Sequence, residues 1–342
     1  MPVLIDRGPS GTIARAAQDK FVELGLVNNM PDAALDSTER QFFELIRAAA
    51  WDIPVRLRLF SLPDVPRGKV GREHLSSGYR DIDDLWNGRL DGLIVTGTEP
   101  RAPSLMEEPY WGSITSVLAW AREHTASTIW SCLAAHAAVL HMDGIGRHPL
   151  EQKCSGVFAC TQASTHFLLA GLPEQIRVSH SRCNELRERE LISHGYTMLT
   201  RSSGAGVDTF VKPQKSLFVF FQGHPEYDER ALLREYRRDV ARYLRRERET
   251  YPTMPEGYFD DVAAGISAAF RERALLQRDE CLMDSFPVGP LERHLRPLGR
   301  ASVSRLYRNW LLYLVERKAS RSAPATPRAH RADASLPAEG VG

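Results

Sequence analysis

The sequence predicts an α/β fold, a parallel sheet with helices on both faces, and three observations carry that expectation. Short apolar runs alternate with amphipathic stretches of helical length, as successive βα units do. At 342 residues the chain is long enough to bury one large core or two modest ones. A Cys stands at the junction of an apolar run and an Ala-rich helix, in Ser127-Thr128-Ile129-Trp130-Ser131-Cys132-Leu133-Ala134-Ala135-His136, the strand-to-helix turn that such folds repeat.

Taken in order, the expected strands are 22–28, 55–61, 92–96, 128–131 and 217–222. Helices are expected over 35–49, 110–123, 133–141 and 229–245. The last places Leu232, Leu233, Tyr236, Val240 and Tyr243 near helical spacing, with Asp228 as N-cap. Between Cys154 and Phe210 the pattern changes to short pieces, 176–179 and 197–200, between polar turns, which reads as an antiparallel insertion or edge. Beyond Pro252 the chain reads as helical, over 259–276 and 302–317. The resulting organisation is an N-terminal extension (1–20), a single α/β domain with C-terminal helices (21–317) and a disordered tail (318–342). The tail is rich in Ala, Pro, Ser and Arg and poor in large apolar groups.

Lys plus Arg (44) nearly balance Asp plus Glu (43), so no global field favours a nucleic-acid partner. No run of about 18 apolar residues and no apolar leader points to a membrane or to export, and a cytoplasmic protein is expected. Five cysteines without paired CxxC spacing argue for reduced thiols, with no disulfide framework and no zinc or other metal site.

The chemistry concentrates in two places. Cys132 gains from its position: the turn exposes the sulfur, and the dipole of the following helix favours thiolate. The backbone N–H of Leu133 is aimed where an oxyanion forms, and the loop Thr96-Gly97-Thr98 at the carboxyl edge of the sheet offers a second donor at Thr98. Some ninety residues on, Gly223-His224-Pro225-Glu226 puts an imidazole and a carboxylate two positions apart in an extended segment, hence on one face. Thiol, His and Glu are the parts of a nucleophilic triad for acyl transfer.

These segments, together with Asn29-Met30-Pro31, Asp91-Gly92-Leu93-Ile94-Val95-Thr96-Gly97, Tyr110-Trp111, Lys153-Cys154-Ser155-Gly156-Val157, His180-Ser181-Arg182 and Glu235-Tyr236-Arg237-Arg238-Asp239, resemble the MetA-type homoserine O-acyltransferases. The resemblance spans about Leu24 to Leu244. It implies a flavodoxin-like fold related to class I glutamine amidotransferases, commonly homodimeric, that moves an acyl group from acyl-CoA to the hydroxyl of L-homoserine in methionine biosynthesis. Cys132 would then carry the acyl thioester, with His224 the general acid/base and Glu226 its orienter. Lys153, Ser181 and Arg238 fall on substrate-contacting positions. No resident cofactor is implied, acyl-CoA being a co-substrate.

The chain departs from the related patterns at several points. Trp130 and Ala134 replace the glycines that flank the nucleophile in amidotransferases, which favours the acyltransferase branch over a glutaminase or thioesterase. Asp32-Ala33 stands where the resembled family carries two lysines. The loop after Gly97 reads Thr98-Glu99-Pro100-Arg101, and Arg101 falls where that family selects its acyl group. An Arg pairs with a succinyl carboxylate, so succinyl-CoA is the expected donor, with acetyl-CoA the alternative. Homoserine and a serine-type acceptor differ by one methylene, worth about 1–3 kcal/mol, so the acceptor stays open between them. A non-catalytic metabolite-binding homologue is the remaining alternative.

Overall fold

The computed structural model describes residues 3–6 and 20–322. Ten strands among them form one sheet: β1 (Val3–Asp6), β2 (Val22–Val27), β3 (Val55–Phe60), β4 (Gly92–Thr96), β5 (Ser127–Ser131), β6 (His148–Gln162), β7 (Gln175–Glu185), β8 (Thr197–Ser202), β9 (Gly206–Lys212) and β10 (Leu217–Phe221). The helices are α1 (Leu35–Ala50), α2 (Lys69–Gly78), α3 (Ile82–Trp86), α4 (Trp111–His124), α5 (Leu133–Asp143), α6 (Glu188–Ser193), α7 (Ala231–Leu244), α8 (Asp261–Leu276), α9 (Val288–Glu292) and α10 (Arg300–Ser322).

The strand order is β1-β3-β2-β4-β5-β10-β9-β8-β6-β7. From β1 to β10 every neighbouring pair is parallel, and from β10 to β7 every pair is antiparallel. The parallel half is apolar throughout because helices cover both its faces. Successive residues of one strand feed opposite cores: Phe218 and Phe220 join α4 and α5 on one side, whereas Val219 and Phe221 join α1 and α10 on the other. A third core packs α7 against α8 and the segment around Tyr258.

The predicted parallel strands and the four main helices are all present, as is the antiparallel region. That region is larger than its two predicted pieces, because β6 and β9 were not expected. Asp228 does not cap α7: the helix starts at Ala231, and the Asp228 carboxylate takes the Arg230 N–H at 2.9 Å.

Both ends of the expected domain need correction. Val3–Asp6, expected in an extension, adds a parallel edge strand on β3. At the other end α10 runs through Ser322, past the expected start of the tail. Lys318 Nζ donates to Phe21 O at 2.6 Å and to Asp91 Oδ2 at 3.0 Å, which ties the last helical turns to the root of β2 and β4. Residues 323–342 lie outside the described residues. No helix among the described residues is long and apolar enough to cross a membrane.

Candidate active site

Cys132, the expected nucleophile, sits on a strained elbow. Cys132 follows β5, caps α5 and holds φ 52°, ψ −115°, a left-handed backbone that costs a non-glycine residue about 1–3 kcal/mol. Two anchors enforce it. The Cys132 N–H donates to Phe221 O at 2.7 Å across to β10, and its carbonyl accepts from Ala135 N at 2.9 Å in the first turn of α5. Trp130, fully buried, packs edge-on against Phe218 and fills the space beneath the elbow. The five cysteines stand as free thiols, Cys132 half-buried among them.

His224 reaches the elbow from the end of β10. Its backbone N–H donates to Ser179 O at 2.7 Å, so the antiparallel half of the sheet sets where the ring lies. Nδ1 is 2.8 Å from Glu226 Oε1, which leaves Nε2 to face Cys132, whose charge acts on the ring. Burial pushes the imidazole down, but Cys132 and Glu226 outweigh it through charge and hydrogen bonds. The His224 pKa therefore ends well above the ordinary histidine range. The three residues expected to form a triad do come together.

A second group of side chains adjoins the first through Tyr227. Its ring stacks on His224 with centroids 4.2 Å apart, and its hydroxyl donates to Glu235 Oε1. The other oxygen, Glu235 Oε2, accepts from Ser181 Oγ and, at 3.2 Å, from Lys153 Nζ. Lys153 also reaches Asp239 Oδ2 at 2.9 Å, and Arg238 holds Asp239 Oδ1 through Nε and Nη2 at 3.2 and 3.1 Å. The predicted contact residues Lys153 (β6), Ser181 (β7) and Arg238 (α7) thus meet around two acids. Burial raises the carboxyl pKa of each, but surrounding cations and donors leave both below the usual range. Sequence reasoning quoted Glu235 and Asp239 in a motif but gave them no role. Their one signal was i, i+4 spacing on the buried side of α7.

The expected oxyanion donors lie on facing backbones. A Cβ on Gly97 would meet Leu133 Cβ at 2.5 Å and Leu133 N at 2.9 Å, so the β4 loop that continues into Thr98 lies directly against the elbow. Glu99 then pairs with Arg242 of α7 at 3.0 Å, while Arg101 is exposed. Asp32, where the resembled pattern has a lysine, instead accepts from Gly68 N at 2.7 Å and Arg67 Nη1 at 3.4 Å, and holds the start of α2.

One group among the described residues has metal-ligand composition: Cys160, His180 and Asp208, all buried. His180 Nδ1 accepts from Arg182 Nε at 3.5 Å, so the ring proton belongs on Nε2, which stands 3.3 Å from Asp208 Oδ1. That tautomer has no lone pair on Nε2 to offer a cation. His136, one turn past Cys132, is buried in the core under α5.

The family model "Homoserine O-succinyltransferase" matches residues 10–321. A protein of that name from Rhodopseudomonas palustris is 49% identical over 301 residues, covering 88% of this chain and 90% of its own. A namesake from Bradyrhizobium japonicum is 45% identical over 90% of this chain and 94% of its own. Among solved structures, a glutamine amidotransferase from Methylobacillus flagellatus matches at TM-score 0.47 and 13% identity, over 86% of this chain and 95% of that one. The structural likeness carries no weight beside the strand order, but a family match over nearly the whole described chain does: the chain belongs to the homoserine O-succinyltransferase family.

Proposed function

We propose that this chain moves the succinyl group of succinyl-CoA to the hydroxyl of L-homoserine, a step of methionine biosynthesis, by a ping-pong route through a Cys132 thioester. The observation that carries the reading is His224 standing between Glu226 and the Cys132 thiol at a strained elbow. His224 Nε2 takes the thiol proton, the sulfur attacks the thioester carbonyl, and the CoA thiolate leaves with that proton. Homoserine then enters. His224 takes its hydroxyl proton, the oxygen attacks the acyl carbon, and the Cys132 sulfur departs and recovers the proton. The N–H groups of Leu133 and Thr98 hold the oxyanion in both halves.

The acceptor is an amino acid, and the second side-chain group matches its two charges. Arg238 and Lys153 suit the carboxylate, while Glu235, with three donors on about four lone-pair sites, keeps capacity for the ammonium. Ser181 orients that carboxylate. Arg101 pairs with the distal carboxylate of the succinyl group. The reaction needs no metal or resident cofactor. The enzyme works as a cytoplasmic homodimer, without nucleic-acid or membrane partners.

A matrix of succinyl-CoA or acetyl-CoA against homoserine or serine, read as free CoA and O-acyl product, tests donor and acceptor together. Intact mass after incubation with succinyl-CoA alone is expected to show one added succinyl group on the wild type and none on Cys132→Ala. An unmodified wild type would return the chain to the metabolite-binding reading, and hydrolysis without transfer would favour a thioesterase.

A further inference from the structure

The loop between β4 and α4 is closed on itself by a buried carboxylate. Glu108 is 3% exposed, and its Oε1 accepts two consecutive backbone N–H groups, Arg101 at 2.5 Å and Ala102 at 2.7 Å. Glu108 is itself fixed, because its carbonyl accepts from Trp111 N at 2.9 Å in the first turn of α4 and its N–H donates to Leu105 O at 3.3 Å. Two further contacts bound the loop. Gly97 presses on Leu133 at one end, and Glu99 is paired to Arg242 on α7.

This clasp is costly as mere scaffolding. The Glu108 carboxylate also lies beside the Tyr110 hydroxyl, whose pKa burial raises and the carboxylate helps raise, and a buried carboxylate costs desolvation that a neutral side chain avoids. What the clasp fixes is the backbone of Arg101. The Arg101 side chain is exposed and enters none of the ion pairs among the described residues, whereas Glu99 and Glu108 are both engaged. The loop is pinned at Gly97 against the elbow and through Glu99 to α7; of its charges Arg101 and the exposed Glu107 enter no ion pair among the described residues, and Arg101 is the positive one.

We propose that Glu108 is a positioning residue for donor selection: by clasping the N–H groups of Arg101 and Ala102 it holds the Arg101 guanidinium where it pairs with the free carboxylate of a dicarboxylic acyl group carried toward Cys132. The inference rests on the acyl-CoA reading above and deepens it. Glu108 acts through Arg101 and touches no reacting atom. Its loss therefore affects donors that carry a distal carboxylate and spares those that do not.

The test is kinetics of the full chain with succinyl-CoA and acetyl-CoA for wild type, Glu108→Ala, Glu108→Gln, Arg101→Ala and the double variant Arg101→Ala/Glu108→Ala. In Glu108→Ala the KM for succinyl-CoA is expected to rise about tenfold, the scale of one charge-assisted contact, with kcat within about twofold and acetyl-CoA turnover nearly unchanged. Arg101→Ala should raise the KM for succinyl-CoA at least as much, and the double variant should be no worse than Arg101→Ala alone. Glu108→Gln keeps an acceptor oxygen and should fall between wild type and Glu108→Ala. It decides the matter if Glu108→Ala does not fold. An equal loss with both donors, additive losses in the double variant, or an unchanged succinyl-to-acetyl ratio in Glu108→Gln would overturn the proposal. A wild type that does not prefer succinyl-CoA overturns the donor reading instead, and is seen before any variant is made.

Discussion

Tyr227 stacks on the His224 ring at 4.2 Å and donates its hydroxyl to Glu235, so one side chain joins the proposed base to the carboxylate proposed to receive the acceptor. Replacing Tyr227 by Phe keeps the stack and removes the donor. Because a hydrogen bond to a charged group is worth about 1.5–3 kcal/mol, the KM for homoserine should rise at least about tenfold. The burst of CoA release in the first half-reaction should stay near wild type. Steady-state and rapid-quench measurements separate the two, and a collapsed burst with unchanged KM would count against this division of labour.

Glu226→Gln should leave the fold intact but slow acyl transfer by about 10²–10⁴-fold, the usual contribution of general acid–base catalysis. It should also lower the His224 pKa, since Glu226 is among the groups that hold it up. The sign follows from linkage. A raised folded pKa stabilises the protein fully below the ordinary histidine value, about 6.5, and that stability fades as pH climbs through the raised value. The melting-temperature gap between wild type and Glu226→Gln should therefore be widest in mild acid and narrow toward alkaline pH, with histidine NMR titration giving the pKa directly.

His136 behaves in the opposite way. Burial, aided by Arg182 and Arg147, pushes its imidazole down to about 3. The unfolded chain takes up a proton near 6.5 while the folded one resists, so stability drains as pH falls from there toward about 3, by about 1.4 kcal/mol per pH unit. A His136→Gln variant should show a shallower fall in melting temperature between pH 6 and 4, taken as roughly the window between those two values.

Lys318→Ala removes donors to Phe21 O and Asp91 Oδ2, and Asp91 Oδ2 also accepts from Glu23 N at 3.0 Å. A cost of about 1–3 kcal/mol is expected in chemical denaturation, with kinetic constants unmoved. A neutral result would place Lys318 functionally in the tail, as its composition implies.

The grouping of Cys132, His224 and Glu226 was readable because their neighbours are unusual: a Cys between an apolar strand and an Ala-rich helix, and a His and Glu separated by a Pro. The parallel strands were readable as apolar runs for the same physical reason, burial on both faces. The antiparallel half was harder. β6 carries His148, Glu151, Gln152 and Lys153 on a partly exposed path, so its polarity masks a strand of 15 residues. Glu235 and Asp239 look like any charges on a helix, since the lysine, serine and arginine that occupy them come from elsewhere in the chain or lie beside them. β1 is too short, at four residues, to register as a pattern.

The pairing of β6 with β7 slips between Pro149 and Cys154, just where Lys153 lies. Because alternate residues of a strand face opposite ways, the slip decides to which side the lysine is delivered. A single codon gained or lost in that short stretch would turn Lys153 away from Glu235 and leave the Cys132 elbow, encoded elsewhere in the gene, untouched. The side chains around Glu235 can thereby change while the elbow that carries Cys132 stays as it is.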